Sequence, residues 1–211
     1  MKKSLGLALA ASGLFLGLLT SNANASFVAD GDFTAPSGGG SFVTYGVGAM
    51  GPWNVTSGTV DLIGGYWQAP SFGGGSVDMD GNSPGSISQA LSLGAGNYIL
   101  HFSLSGNPDN GPSTKFLQVS VGNALQNFNY TTGANTHSNM NYLNESLAFN
   151  TTGATNLTFS SLSTGGFYGA VIGKVSVSAV PLPAALPMFV LGLLGLFGFH
   201  SFNRKNKLSC A

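Results

Sequence analysis

Short runs of alternating apolar and polar residues constrain the fold of this chain most strongly. In the stretch NYILHFSLSG, four apolar residues occupy every second position: Tyr98, Leu100, Phe102 and Leu104. Successive side chains of a β-strand point to opposite faces, so this pattern is typical of a strand with one buried face. The pattern recurs at residues 117–121, 157–159 and 171–177, and turn signals such as DGNSPG and GNPDNGP separate the runs. The sequence therefore predicts an all-β domain, a jelly-roll β-sandwich.

Two segments of this domain carry more specific expectations. In residues 171–177 the alternation places Val171, Val175 and Val177 on one face, opposite Ile172 and Lys174. The glycine-rich residues 34–52 show no such period and are expected to form a long loop.

Charge is scarce and unevenly distributed. Charged residues make up 7% of the 211 residues, far below the roughly 25% of ordinary soluble domains. All seven acidic residues fall within residues 26–180, where two lysines oppose them, so this part carries a net charge of −5. A domain with this charge repels a polyanion, which argues against nucleic acid as a partner.

The N-terminus has the three parts of a secretory signal peptide. Lys2 and Lys3 form a positive region, and residues 5–19 are apolar. A small-residue cleavage pattern follows at Ala23, Asn24 and Ala25. Residues 1–25 are therefore predicted to be removed, Ser26 to begin the mature chain, and residues 26–179 to form the β-sandwich. The alternative, an uncleaved membrane anchor, is disfavoured because the apolar stretch is short.

The C-terminus predicts a transmembrane helix over residues 187–202, or about 24 Å at 1.5 Å per residue. Residues 186–199 are apolar apart from glycines and Pro187, which suits the first turn of a helix. The basic residues after it mark the cytoplasmic side: Arg204, Lys205 and Lys207. A buried core helix is the alternative, but such a helix needs a polar face.

A short proline motif precedes that helix. It consists of Val180, Pro181, Leu182, Pro183, Ala184 and Ala185. The motif, the helix and the basic cluster together closely resemble the PEP-CTERM sorting signal of exopolysaccharide-producing Gram-negative bacteria, here over residues 180–211. The resemblance implies processing by an exosortase, a transient stay in the inner membrane, and a final place at the cell surface or in the extracellular matrix.

A second resemblance covers residues 27–179. Trp53 and the segments GTVDLI, YWQ, SVDMDG, GSISQ and GNP occur in an order that looks like the choice-of-anchor C domain. That resemblance implies a galactose-binding-like jelly roll, carried on the cell surface, without enzymatic activity.

Catalytic and metal-binding patterns are weak. His101 and His137 are the only histidines of the domain, the single cysteine is Cys210, and no nucleophile–base motif occurs, so we predict no enzyme and no cofactor. Two acidic pairs could hold calcium: Asp30 with Asp32, and Asp78 with Asp80. The second pair lacks the glycine and glutamate of a calcium loop, and we predict that the domain binds no metal and folds without calcium.

Tyr66 and Trp67 are the candidate glycan contacts, because aromatic rings in glycine-rich segments can stack on sugars. Strand alternation lets only one of the two point into the core, so core packing is an open alternative for either. The sequence thus predicts an exported, surface-anchored, non-enzymatic structural or adhesion module of the exopolysaccharide matrix. The alternative is a carbohydrate-binding module for a cell-surface or matrix glycan.

Overall fold

The computed structural model describes residues 26–181, which form ten β-strands and no helix. The strands are β1 (Phe42–Met50), β2 (Trp53–Ile63), β3 (Ser76–Asp78), β4 (Ser86–Leu91), β5 (Gly96–Gly106), β6 (Thr114–Val121), β7 (Ala124–Thr131), β8 (Leu143–Thr151), β9 (Thr155–Ser161) and β10 (Ala170–Ala179). The predicted all-β sandwich is confirmed. Nothing in this range is a helix of the length and apolar character that membrane crossing needs.

Several predicted features lie outside the described residues. They are the signal peptide with Ala23 and Ala25, the transmembrane helix, the basic cluster at Arg204, Lys205 and Lys207, and the sorting motif from Leu182 to Ala185. Ser26 is the first described residue, and Val180 and Pro181 are the last two. The backbone N–H of Val180 donates a hydrogen bond to the carbonyl oxygen of Asn97.

The long strand β2 joins the two layers of the sandwich. Its first half pairs with β4, at Asn54 to Ser57, and its second half pairs with β3, at Asp61 to Ile63. One layer continues from β4 through β9 and β6 to β7, and the other continues from β3 through β10 and β5 to β8. A strand that passes between sheets in this way forms a corner of the sandwich.

Gly58 lies at this corner with φ +60°. A Cβ atom there would come 1.9 Å from the carbonyl oxygen of Pro84. Only glycine therefore allows β2 to turn so close to the segment that precedes β4.

Aromatic side chains from both layers fill the core. Phe102 of β5 lies 5.1 Å from Phe128 of β7 and 5.3 Å from Phe159 of β9, measured between ring centroids. Phe159 also packs on Trp53 of β2, at 6.1 Å. Such edge-to-face and tilted pairs add to the stabilisation from apolar burial. The inward face predicted for β5 is confirmed, since Tyr98, Leu100, Phe102 and Leu104 are all buried.

The face assignment predicted for β10 is wrong for Val171. The pairing of β10 with β5 shifts register between Gly173 and Ser176, and Lys174 takes φ +49° within this bulge. An inserted residue reverses the direction in which the following side chains point. Ile172, Val175 and Val177 therefore share the main core, whereas Val171 packs in a second cluster on the opposite face of the layer.

The long loop predicted over residues 34–52 is also wrong, because most of it is strand β1. β1 forms an antiparallel hairpin with β2 through a turn at Gly51 and Pro52. Gly46 and Gly48 interrupt its side-chain pattern, and nearly all of its residues are exposed. Backbone pairing with β2 holds this strand, so no alternation of apolar and polar residues marks it in the sequence.

Candidate functional site

The floor of the site is a row of paired residues on the outer face of the layer that contains β3, β10, β5 and β8. Thr44 of β1 lies opposite Asp61 of β2, and Asp61 lies opposite Asp78 of β3. Val171 of β10 continues the row, between Asp78 and Ser105 of β5. Directly paired residues project from the same face of a sheet, so these side chains are neighbours.

Two loops cover part of this face, one that contains Trp67 and one around residue 137. Trp67 is buried against Ile63, Met140 and Val171, and its indole Nε1 donates a hydrogen bond of 3.0 Å to Ser76 Oγ. The backbone N–H of Gln68 donates to the carbonyl oxygen of His137, at 2.8 Å. Trp67 thus forms a second apolar cluster that fixes the loop around residue 66 to the loop around residue 137.

Tyr66 packs beside Trp67, with ring centroids 5.4 Å apart, and lines a surface cavity of about 370 Å³. Its ring centroid is 4.6 Å from that of His137 and 5.4 Å from that of Phe42. Phe167 and Tyr168 line the cavity as well. Trp67 contributes to the wall, but with 6% of its surface exposed it offers no free ring face. Of the two candidate glycan contacts, only Tyr66 has a ring that a ligand could cover.

Asp109 holds the Tyr66 ring in its position. The Tyr66 hydroxyl donates to Asp109 Oδ2 at 3.0 Å, and His137 Nε2 is hydrogen-bonded to Asp109 Oδ1. The hydrogen bond to Asp109 is the main cause that raises the pKa of Tyr66 above its ordinary value. The phenol therefore stays protonated at neutral pH, as a hydrogen-bond donor rather than a nucleophile.

Asn107 connects this surface to the buried Asp78. The side-chain oxygen of Asn107 accepts the backbone N–H of Asp109 at 2.9 Å, and its Nδ2 donates to Asp78 Oδ2 at 2.6 Å. Asp78 Oδ1 accepts the backbone N–H groups of Asp80 and Gly169. Burial raises the pKa of Asp78 to about 8, although these hydrogen bonds oppose the shift. Asp78 thus holds two loops that line the cavity, residues 107–110 after β5 and residues 167–169 before β10.

Lys115 also binds the backbone of these two loops. Its Nζ donates to the carbonyl oxygens of Asn110 and Tyr168, at 2.9 and 2.7 Å. Desolvation lowers the pKa of Lys115, while the charges of Asp78 and Asp80 oppose this shift. The carboxylate of Asp80 is fully buried, and neither of its oxygens has a hydrogen-bond partner among the described residues.

The other acidic pair considered for calcium, Asp30 and Asp32, already accepts hydrogen bonds within the domain. Asp30 Oδ1 accepts the backbone N–H and the hydroxyl of Thr34, and Asp32 Oδ1 accepts the hydroxyl of Ser71. Within residues 26–181, no three acidic, histidine or cysteine side chains come together as a metal site would require. His101 is exposed on β5.

Sequence reasoning found Tyr66 but missed the polar residues around it. Asp61, Asn107 and Asp109 reach the cavity through strand order and loop contacts, and His137 meets Asp109 across 28 residues of sequence. Asn107 belongs to the segment GNP and Asp61 to the segment GTVDLI, both part of the second family resemblance. These two segments are the signals in the sequence that could have led to this part of the site.

No family model matches the chain, so the two family resemblances remain predictions. Halomucin of Haloquadratum walsbyi is 31% identical over 144 residues, which are 66% of this chain and 2% of halomucin. The chain thus spans a very small part of this curated relative.

Similar solved structures include carbohydrate-binding modules. TmCBM61, solved with β-1,4-galactotriose, is 20% identical with a TM-score of 0.47, and the match covers 74% of this chain and 99% of that one. CBM35 from Paenibacillus barcinonensis is 19% identical with a TM-score of 0.41, over 65% of this chain and 99% of that one. CBM36, solved with calcium and xylotriose, is 14% identical with a TM-score of 0.41, over 59% and 92%.

Proposed function

We propose that the domain binds a carbohydrate in the cavity beside Tyr66. The observation that carries this proposal is the Tyr66 ring itself, which lines the cavity and is locked by Asp109 and His137. Asn82 and Asp61 lie in the same cavity as hydrogen-bonding groups. A sugar presents C–H groups on its ring face and hydroxyls around its edge, which matches an aromatic wall with a few polar groups.

Binding without catalysis agrees with the chemistry of these groups. Asp109 already accepts hydrogen bonds from Tyr66 and His137, and the raised pKa of Tyr66 keeps its hydroxyl protonated. A nucleophile must lose its proton, whereas the hydrogen bond to the Asp109 carboxylate stabilises the protonated form of the Tyr66 phenol. The role we propose is therefore recognition, not turnover.

In the cell, this binding would serve adhesion. The predicted signal peptide at residues 1–25 and the resemblance of residues 180–211 to a sorting signal support export, processing by an exosortase and attachment at the cell surface. A surface-anchored domain that binds exopolysaccharide or another glycan would join the cell to its matrix. Glycan recognition then supplies the structural or adhesion role expected from the sequence.

A glycan array with the full exported chain in detergent tests the proposal. We expect selective binding by the wild type, and a loss of at least tenfold in affinity for Tyr66→Ala. Phe72→Ala is the matched control, because Phe72 is fully exposed and does not line the cavity, so this variant should bind normally. Equal binding by the two variants would contradict a binding site at Tyr66, and turnover of any oligosaccharide would contradict recognition without catalysis.

A further inference from the structure

The cavity beside Tyr66 is acidic. Two carboxyl groups line it, those of Asp61 and Asp109, and no lysine, arginine or histidine side chain of the described residues does. Asp109 is occupied by Tyr66 and His137. Asp61 is half-buried, and Oδ1 accepts the hydroxyl of Thr44, while Oδ2 has no hydrogen bond to another described residue. Asp61 therefore offers a free acceptor to whatever enters the cavity.

Neither lysine of residues 26–181 offsets the charge of Asp61, and the imidazole of His137 is paired with Asp109. Lys115 is 3% exposed and donates to two backbone carbonyl oxygens, so its ammonium is unavailable to a ligand. Lys174 lies in the β10 bulge and does not line the cavity. An anionic group in the cavity would face Asp61 without a compensating cation, and partial burial of Asp61 strengthens that repulsion relative to bulk water.

We propose that this cavity selects sugars that present hydroxyl or ammonium donors and rejects sugars that carry carboxylate or sulfate, with Asp61 as the residue that sets this selectivity. The inference rests on the carbohydrate site proposed above. A carboxylate accepts hydrogen bonds only, so Asp61 pairs with neutral hydroxyls or with the ammonium of an amino sugar. A uronate brought to the same place leaves two like charges close together, which disfavours binding.

Matched tetrasaccharides test the charge preference in the full exported chain. The probes are β-1,4-linked glucan, galactan and mannan, the corresponding uronic-acid oligomers, and the tetramer of chitosan. At low salt we expect a neutral or amino oligomer to bind at least about tenfold more tightly than its uronate counterpart. The ratio should fall as added salt screens the charges, because surface electrostatics weaken over a Debye length of about 10 Å at 0.1 M salt.

Two variants distinguish the effect of Asp61 from the effect of the overall charge of the domain. Asp61→Asn should reduce the neutral-to-uronate ratio by about tenfold. Asp32→Asn removes an equal charge outside the cavity, where Asp32 accepts a hydrogen bond from Ser71, and should leave the ratio unchanged. If Asp61→Asn does not fold, Asp61→Ser removes the same charge with a smaller polar side chain and is measured in its place.

The outcomes distinguish this inference from the function on which it rests. Uronates that bind as tightly as neutral oligomers at Tyr66 would overturn the charge selectivity and leave carbohydrate binding in place. A ratio that Asp32→Asn lowers as much as Asp61→Asn would overturn the role of Asp61. No binding to any oligomer, on these probes or on the broader array, would overturn both proposals.

Discussion

At the scale of single residues, hydrogen bonds to two aspartates set the orientation of the side chains in the site. Asp109 orients Tyr66, Asn107 orients Asp109, and Asp78 orients Asn107. The chain of contacts runs from the partly buried ring of Tyr66 to the fully buried carboxyl group of Asp78. The backbone N–H of Gly169 also donates to Asp78 Oδ1. Only glycine allows this close approach, because a Cβ atom at residue 169 would lie 2.6 Å from the same oxygen.

The buried carboxyl of Asp78 predicts that stability falls as pH rises. Its pKa is raised from 3.8 to about 8 in the folded protein, so the folded state binds more protons than the unfolded state between these values. This contribution to the free energy of unfolding is fully present below pH 3.8 and is lost as pH rises through about 8. Each pH unit in that window removes up to about 1.4 kcal/mol.

Urea unfolding at pH 5, 6, 7 and 8 measures this slope. Asp78→Asn, which cannot ionise, should show a smaller decrease in the free energy of unfolding with pH than the wild type. Glu145→Gln is the control, because Glu145 is only partly buried on β8 and should leave the slope unchanged. Parallel pH profiles for the wild type and Asp78→Asn would mean that Asp78 does not hold its proton in the folded state.

At the scale of strands, the path of β2 between the layers depends on Gly58. Its left-handed backbone and the 1.9 Å approach to Pro84 predict that Gly58→Ala is destabilising by about 2 kcal/mol or more, from backbone strain and steric overlap. Gly46→Ala on β1 is the matched control, because no atom lies within 4 Å of a Cβ there, and it should change stability by less than about 0.5 kcal/mol. Chemical denaturation compares the two, and equal stabilities would exclude the corner as a constraint on the fold.

How far each strand could be predicted depended on whether one of its faces is buried throughout. β5, β6 and β9 have a regular inward face, at Leu100, Leu117 and Phe159 for example, and alternation identified them. β10 was assigned the wrong face for Val171 because Lys174 inserts a bulge that no local pattern announces. β1 was missed because its glycines remove the alternation.

The candidate site was less predictable than the strands for a topological reason. Asp61 and Asp78 become neighbours only when β2 pairs with β3, and Asn107 reaches Asp78 only because β10 lies between β3 and β5. Such contacts join residues that are far apart in sequence, and their register follows from the whole fold. Tyr66 and Trp67 were predicted as contacts because they are aromatic, but the deeper burial of Trp67 follows from its packing on Ile63, Met140 and Val171.

At the scale of the whole molecule, we predict that the domain folds without calcium. Asp30 and Asp32 are committed to hydrogen bonds with Thr34 and Ser71, and no three ligand side chains converge in residues 26–181. Thermal melts with and without a chelator should agree within a degree or two. A large decrease on adding chelator would show that an ion is bound, at Asp30 and Asp32 or at Asp78 and the unpartnered Asp80, since a ligand bound only by the native state raises its stability.

Processing at both ends is the broadest prediction for this chain. Pro181 and Pro183 cannot donate backbone hydrogen bonds and bias the residues before them away from helix, so residues 180–185 should stay extended and accessible to a membrane-embedded exosortase. The helix after them should hold the precursor in the inner membrane, with the domain outside and Arg204, Lys205 and Lys207 inside. Mass spectrometry of surface material should show a mature chain that begins at Ser26 and lacks Cys210.

Replacing Pro181 and Pro183 by alanine tests whether the proline motif directs this processing. The double variant should accumulate as a chain that keeps its C-terminus in the inner membrane, because its helix is intact but its recognition motif is gone. Asn203→Ala is the control, since it changes the tail beside the basic cluster and leaves the motif and all charges unchanged. A mature wild-type protein that keeps its basic tail in cells with an active exosortase would instead indicate a permanent transmembrane anchor, which would hold the carbohydrate site at a fixed distance from the membrane.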